Sequence, residues 1–285
     1  MWLDFRQILW GTPGAWLFPI MLVVSLLGTE EVLSLLRAKN HQLVAWPVYL
    51  GNFVIPLTAS FAIVLGMLGR PLSNHLASGY DRWPLAALAV VIGVIFFSEM
   101  QRYERPGGTI VQVALAVFTV CYLGVLMSFW ALLRLHGDNA RGMLALVSML
   151  VIVKMADTGA FFVGKNLGRH KMTPILSPGK TWEGAIGGVV VACLVSWAIF
   201  HWLGWSLVGP AYRRPAIVAT LAYGGTLALA GMLGDLAESL LKRDMERKDS
   251  STWLPGLGGV LDIIDAPLVA GPIAWLWWAT GLISC

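Results

Sequence analysis

Long continuous runs of apolar residues, rather than alternating ones, dominate this chain. They cover residues 14–36, 43–69, 84–99, 109–133, 142–164, 184–205, 216–241 and 259–283. A helix of about 20 apolar residues spans a hydrocarbon layer about 30 Å thick. Backbone groups in lipid must be paired within the protein, and the runs do not alternate as barrel strands do. The pattern therefore predicts an all-α, polytopic transmembrane helical bundle.

The second run sets the predicted number of spans, because Gly51, Asn52 and Pro56 interrupt it. As one tilted helix it gives eight spans, and as two short re-entrant pieces it allows nine. Glu30 and Glu31 lie near the end of the first run, and a carboxylate at mid-membrane is costly. We expect that span to end near them, or their side chains to face protein.

The composition excludes a water-soluble particle, since 57% of the residues are hydrophobic and 13% are charged, against about 25% charged in soluble domains. The net charge of +4 fits loops facing anionic lipid headgroups and gives no argument for nucleic acid. The three cysteines are widely spaced, so neither a disulfide framework nor a zinc site is expected. No cleavable signal peptide is expected either.

Residues that carry chemistry are unevenly distributed along the chain. Residues 1–140 are predicted to be a lipid-facing scaffold with ordinary loops, and residues 141–285 a catalytic transmembrane region. With eight spans, the loops around 165–180 and 242–248 fall on the side richer in Lys and Arg. The positive-inside rule makes that side cytoplasmic.

The first polar segment lies around the end of the fifth run. Lys154 and Asp157 are three residues apart inside an apolar helix, where ionisable groups serve function or pair with each other. Farther on, Ser177 to Thr181 are predicted to form a turn that contains Lys180 and opens onto a helix. Free N–H groups and the helix dipole make such an end a candidate phosphate site. The alternative is a basic loop that contacts lipid headgroups.

The second polar segment lies at the end of the seventh run. Asp235, Ser239 and Lys242 are spaced to share one helix face, and Asp262 and Asp265 open the last run. Carboxylates from two helices suit Mg²⁺, which binds hard oxygen ligands together with substrate phosphates. The alternative is that these aspartates cap helices or form ion pairs, such as Asp262 with Lys242.

Two further features accompany these segments. Glu238 lies beside the polar stripe and raises the number of nearby acidic residues to four. Glycines on the same runs are predicted to allow close helix packing rather than to bind a ligand. They are Gly184, Gly187, Gly188, Gly231 and Gly234.

Together the two segments resemble the phosphatidate cytidylyltransferases, also called CDP-diacylglycerol synthases. The resemblance covers residues 157–265, and residues 1–140 match only in being hydrophobic. The first motif consists of Asp157, Ala160, Phe161, Gly164, Lys165, Gly168, Arg169, Pro174, Ser177, Pro178, Gly179, Lys180, Thr181, Trp182, Glu183, Gly184, Gly187 and Gly188. The second consists of Gly234, Asp235, Glu238, Ser239, Lys242, Arg243, Lys248, Asp249, Pro255, Gly256, Gly258, Gly259, Asp262 and Asp265.

Two positions depart from the family pattern. Leu257 stands where the family has a histidine before the paired glycines. The family also has an arginine between the two aspartates, after the first, whereas Ile263 and Ile264 follow Asp262 here. Without these two side chains, the site lacks one expected phosphate contact and one expected proton or hydrogen-bond partner. They leave the predicted metal-binding carboxylates untouched.

The resemblance implies transfer of CMP from CTP to phosphatidate, giving CDP-diacylglycerol and pyrophosphate. Attack by an anionic phosphate needs mainly positioning and charge neutralisation. The resemblance implies that Asp235 and Asp262 bind Mg²⁺, with Asp265 as third carboxylate, and that Ser239 and Lys242 contact phosphate. It implies that Ser177 and Lys180 bind the triphosphate, while Asp157 orients Lys180 or a metal-bound water. Further nucleotide contacts are implied for Lys165, Arg243 and Lys248. The number of carboxylates allows a second metal ion.

The expected partners are CTP, phosphatidate and the lipid bilayer, without nucleic acid, and a homodimer is allowed. The expected location is a bacterial inner membrane, with the active site facing the cytoplasm. Three rivals stay open. Another CTP-dependent enzyme could act on an isoprenoid-ether phosphatidate or phosphorylate a long-chain alcohol. An ion-coupled transporter would show inverted repeats, and none is evident. The two departures also allow a non-catalytic relative.

Overall fold

The computed structural model describes residues 12–68, 82–104, 106–247, 250–251 and 258–283, and they are almost entirely helical. In chain order the helices are α1 (Leu17–Ala38), α2 (Ala45–Ala59), α3 (Phe61–Met67), α4 (Trp83–Gln101), α5 (Thr109–Arg134), α6 (Asn139–Leu167), α7 (Trp182–Ala211), α8 (Ile217–Asp244) and α9 (Leu261–Ala279). Outside the described residues lie the predictions made for Lys248 and Leu257, and the motif residues Asp249, Pro255 and Gly256.

Two of the long helices contain irregular turns. Helix α5 passes through a π-helical turn at Val120–Val125, which separates Thr109–Thr119 from Leu126–Arg134. Helix α7 consists of Trp182–Ala198, a π-helical turn at Ile199–Leu203, Gly204–Val208 and a 3₁₀ turn at Gly209–Ala211.

Within the described residues, six helices are long and apolar enough to cross a membrane: α1, α4, α5, α6, α7 and α8. The interrupted second run forms two helices, α2 and α3, which are separated at Ser60. Helix α9 has 19 residues, and Pro267 and Pro272 lie inside it. The chain is an integral membrane protein, and the count of eight or nine spans stays a prediction.

A two-stranded hairpin is the one departure from an all-helical structure in the described part of the chain. Strand β1 (Lys171–Thr173) pairs antiparallel with β2 (Ser177–Thr181). Residues 177–181 were expected to be a turn, and they form a strand because they pair with β1. The helix does begin directly afterwards, and Thr181 caps it by accepting a hydrogen bond from the Gly184 N–H at 3.1 Å.

The chain divides into two compact units, and unit 1 comprises the described residues of 1–132 and 245–261. In unit 1, α2 packs against α1, α4 and the π-helical turn of α5. Its core contains Leu33, Val48, Ile55, Val91, Ile95, Val113, Ala116 and Val120. The functional division at residue 140 stays a prediction.

Unit 2 comprises the described residues of 133–244 and 262–285, in which α6 packs along α7 and α8 packs on both. A Cβ added at Gly188 would lie 2.9 Å from the Ala156 carbonyl oxygen, and one at Gly184 would lie 2.8 Å from that of Ala160. Helices this close leave no room for a side chain, which confirms the predicted packing role. A Cβ would also meet neighbouring atoms at 3.0 Å or less at Gly187, Gly231 and Gly234.

Candidate active site

A cavity of about 590 Å³ opens within unit 2, lined by α6, the hairpin, α7 and α8. Five residues that the sequence singled out line it: Asp157, Lys165, Ser177, Lys180 and Asp235. Both polar segments therefore contribute to one cavity, although they are far apart in the chain. The helices and the hairpin together place basic and acidic side chains around a space large enough for a small molecule.

Much of the cavity wall is backbone. Gly164, Gly184 and Gly188 line it together with Ala156 and Ala160. These residues also make the close contact between α6 and α7. The same small residues that let the helices approach thus leave the cavity open between the charged groups.

An ion pair joins the two polar segments across the cavity. Lys180 Nζ lies 2.8 Å from Asp235 Oδ2, and it also donates to the Met232 carbonyl at 3.5 Å. The lysine side chain is 19% exposed. Lys180 precedes the cap residue at the end of β2, whereas Asp235 lies on α8, so the hairpin brings a cation to the acidic helix.

Two more lysines line the same cavity, Lys165 at the end of α6 and Lys171 at the start of β1. The sequence placed Lys171 in a basic loop without assigning it to the site. Lys171 lines the cavity because it pairs with Thr181, the residue that follows Lys180. This pairing exists only in the folded hairpin, so the sequence alone contains no signal for Lys171. Three ammonium groups around one cavity favour a polyanionic ligand.

The hairpin is held at its base by Glu183, in the first turn of α7. Its carboxylate accepts hydrogen bonds from the Arg169 N–H at 3.1 Å, the His170 N–H at 3.2 Å and His170 Nδ1 at 2.6 Å. These bonds tie the segment that enters β1 to the helix that leaves β2. They thereby fix the strand that carries Ser177 and Lys180.

Asp157 lies on α6 and lines the cavity. Its Oδ2 is 4.0 Å from Lys154 Nζ, so the pairing that the sequence allowed is a long, loose contact. A carboxylate that is weakly paired and faces a basic cavity is available to orient a lysine or a bound cation.

A second ion-paired group lies at the end of α8. Lys242 Nζ is 2.5 Å from Asp262 Oδ1 and 3.2 Å from Glu238 Oε2. The ion pair of Asp262 with Lys242, which the sequence allowed as an alternative, is therefore present. Neighbouring Arg243 donates from Nε to the Leu176 carbonyl in the hairpin loop at 3.4 Å. Ser239 lies half-buried on the same helix.

Three carboxylates gather beside this group. Asp235, Glu238 and Asp265 each place an oxygen within 4.8 Å of the others. Glu238 is 2% exposed, and among the described residues its Oε1 has no hydrogen-bond partner. A bound cation would offset the cost of burying a carboxylate among other carboxylates, and hard oxygen donors suit Mg²⁺. The donor set therefore fits a divalent metal ion.

The cluster differs in one member from the predicted metal ligands. Asp235 and Asp265 are brought together as expected, while Glu238 completes the group and Asp262 contacts Lys242. The available signal was the spacing of Asp235 and Glu238, which puts both on one face of α8. Of the two isoleucines that follow Asp262 in place of the family arginine, Ile263 is 37% exposed and Ile264 is 5% exposed.

Comparison with known proteins gives consistent matches. The model of the Cytidylyltransferase family matches residues 2–280. The chain is 30% identical over 257 residues to the phosphatidate cytidylyltransferase of Bacillus subtilis, covering 90% of this chain and 87% of that protein. It is 31% identical over 268 residues to that of Pseudomonas aeruginosa, covering 84% and 95%. A shorter match to the Haemophilus influenzae enzyme is 41% identical over 135 residues, covering 47% and 46%.

Proposed function

Because the chain belongs to the Cytidylyltransferase family, we propose that it transfers CMP from CTP to phosphatidate, giving CDP-diacylglycerol and pyrophosphate. A phosphate oxygen of phosphatidate forms a bond to the α-phosphorus of CTP, and the bond from that phosphorus to the bridging oxygen breaks. The relatives described above are named for this activity. The observation that carries the proposal is the ion pair of Lys180 with Asp235 in a cavity with two further lysines.

The lysines would bind the triphosphate. Lys165, Lys171 and Lys180 line one cavity, and ammonium groups neutralise the charge that develops on phosphate oxygens. Ser177 lines the same cavity and would donate a hydroxyl. Asp157 would orient Lys180. Because the phosphatidate nucleophile is already anionic, the site needs no strong general base.

Asp235 and Asp265 would hold Mg²⁺, with Glu238 and Asp262 as the further carboxylates of the site. When bound, the ion would neutralise phosphate charge and orient the triphosphate. Glu238 supports this role, because it is buried and places a carboxylate oxygen within 4.8 Å of those of Asp235 and Asp265. Lys242, between Glu238 and Asp262, would hold both carboxylates in place and contact phosphate together with Ser239. Three points stay predictions: a second metal ion, nucleotide contacts from Arg243 and Lys248, and a homodimer.

The direct test uses purified protein in detergent with Mg²⁺, labelled CTP and phosphatidate. We expect CDP-diacylglycerol and pyrophosphate to form in equal amounts. Release of CDP with a long-chain alcohol as acceptor would establish the phosphorylating rival, because a kinase does not release pyrophosphate. Isoprenoid-ether phosphatidate in parallel tests the other acceptor. No product with any acceptor, from folded protein, would refute the proposal and favour a non-catalytic relative.

We propose further that the site faces the cytoplasm of a bacterial inner membrane. Gly179 provides a probe, since it is exposed and a Cβ there would meet no atom within 4 Å. With Gly179→Cys in inside-out vesicles, a membrane-impermeant maleimide should label the variant, whereas intact spheroplasts should stay unlabelled. The parent chain controls for the native cysteines. Labelling of spheroplasts would place the hairpin on the opposite side.

A further inference from the structure

Glu31, in α1, is a buried carboxylate with four hydrogen-bond donors around it. Glu31 is 2% exposed. Oε1 accepts from Ser251 Oγ and from the Val260 N–H, both at 2.8 Å. Oε2 accepts from Ser250 Oγ at 3.1 Å and from the Leu261 N–H at 2.8 Å. A carboxylate has about four acceptor sites, so this one is fully used.

Two of those donors mark the start of the last helix. The first N–H groups of a helix have no partner within it, and α9 begins at Leu261. A negative charge at this end is also favourable for the helix dipole. Glu31 therefore caps α9 from a position 230 residues before Leu261 in the chain.

The paired glycines before α9 are shaped to this contact. Gly258 has φ +80°, a backbone conformation that residues with a side chain rarely adopt. A Cβ at Gly259 would collide with Ser250 Oγ and would lie 2.5 and 2.6 Å from the two Glu31 oxygens. Gly259, Val260 and Leu261 thus lie closely around a single carboxylate.

We propose that Glu31 is a positioning residue that fixes the first turn of α9, and with it Asp262 and Asp265. This rests on the proposed function for its catalytic consequence. The constraint on the Leu261 amide reaches Asp262 through one peptide bond, and Asp265 follows within the same turn. Small displacements of groups that bind a reacting phosphate or its metal slow a reaction strongly.

The test compares Glu31→Gln with Glu31→Asp. Glutamine keeps the size of the side chain but removes its charge and turns one acceptor into a donor, so at least one N–H or hydroxyl loses its partner. Aspartate keeps the charge with a shorter reach. The matched control is Glu30→Gln, the neighbouring residue, whose carboxylate contacts Arg37 and Tyr49 instead.

Three quantities are measured on folded protein: amide hydrogen exchange of the peptide covering 258–265, Mn²⁺ affinity, and kcat with KM for CTP. In Glu31→Gln we expect faster exchange at Val260 and Leu261, weaker Mn²⁺ binding, and a kcat lowered about tenfold to 100-fold. The KM for CTP should change little, because the cavity lysines are untouched. Glu31→Asp should lie between this variant and wild type, and Glu30→Gln should match wild type.

Faster exchange with unchanged Mn²⁺ affinity and unchanged kcat would make Glu31 a structural anchor only and overturn the proposal, as would unchanged exchange. If Glu31→Gln does not fold, Ser251→Ala removes one donor and should shift all three quantities in the same direction by less. A wild-type protein that is inactive with every acceptor would refute the proposed function, and exchange and Mn²⁺ binding would still decide the role of Glu31.

Discussion

Lys180 and Asp235 meet at 2.8 Å across the cavity, one on a hairpin strand and the other on α8. A cation already paired with an acidic group has its ammonium fixed in space before any ligand arrives. The two side chains come from separate elements but contact each other, so the effects of substituting them should be coupled.

Lys180→Met should lower kcat/KM for CTP roughly 10- to 100-fold, because a hydrogen bond to a charged group contributes about 1.5–3 kcal/mol. Methionine keeps the apolar stem and removes the charge. The effect is measured from initial rates over a range of CTP concentrations. Lys39→Met is the control, since Lys39 pairs with exposed Glu246 in unit 1. Equal losses in both variants would argue against a specific nucleotide contact.

Asp265→Asn and Glu238→Gln should each raise the Mg²⁺ concentration that gives half-maximal activity. Both residues belong to the carboxylate cluster, and removing one anionic ligand weakens a site that depends on hard oxygen donors. Asp244→Asn makes the same charge change at an exposed position at the end of α8 and should leave the Mg²⁺ dependence as it is. An unshifted midpoint in both cluster variants would remove the metal assignment.

Gly188→Ala should destabilise the protein by about 1–3 kcal/mol, the usual cost of overpacking. Its new Cβ would lie 2.9 Å from the Ala156 carbonyl oxygen. Gly93→Ala, in α4, meets no atom within 4 Å and should stabilise by about 0.5–1 kcal/mol, since alanine favours a helix over glycine. Thermal unfolding in detergent should therefore shift in opposite directions. A shared direction would contradict the packing argument.

His136, in the loop between α5 and α6, should make stability depend on pH. Burial, with a smaller effect from Arg141, lowers the pKa of its imidazole, and the ring packs edge-on against Trp278 at 5.8 Å. The neutral form is favoured in the folded state. Its stability contribution is therefore full above the ordinary pKa of about 6.5 and is lost as the pH falls through the lower, folded value.

Melting temperatures of wild type and His136→Gln at pH 8 and pH 5 test this sign. Wild type should lose more stability on acidification than the variant does. An identical loss in both proteins would show that other groups govern the pH dependence.

The apolar runs predicted the helices well because length and composition alone decide whether a segment can lie in lipid. Lys180 and Asp235 were also identifiable, since charged residues stand out in such a sequence. The hairpin was missed because Ser177, Pro178 and Gly179 have the chemistry of a turn, and only the pairing with β1 makes the segment a strand.

Glu31 shows a different limit of the sequence. It stood out as an acidic residue near the end of an apolar run. That position predicts that the span ends there or that the side chain faces protein, but it does not predict the partners. Those partners lie 219 to 230 residues farther along the chain, and two of them are backbone amides that carry no residue-specific signal. Glu238 was likewise visible beside the acidic stripe, but its burial depends on how the helices pack.

The glycines that line the cavity limit which substitutions the protein can accept there. Gly184 and Gly188 have no side chain to exchange, and anything larger there would push α6 and α7 apart. Variation that keeps the fold is therefore confined to lining positions that have a larger side chain, such as Phe161, Met172 and Met232. Relatives with this fold can therefore change their ligand preference at those side chains, while the glycine positions between α6 and α7 stay the same.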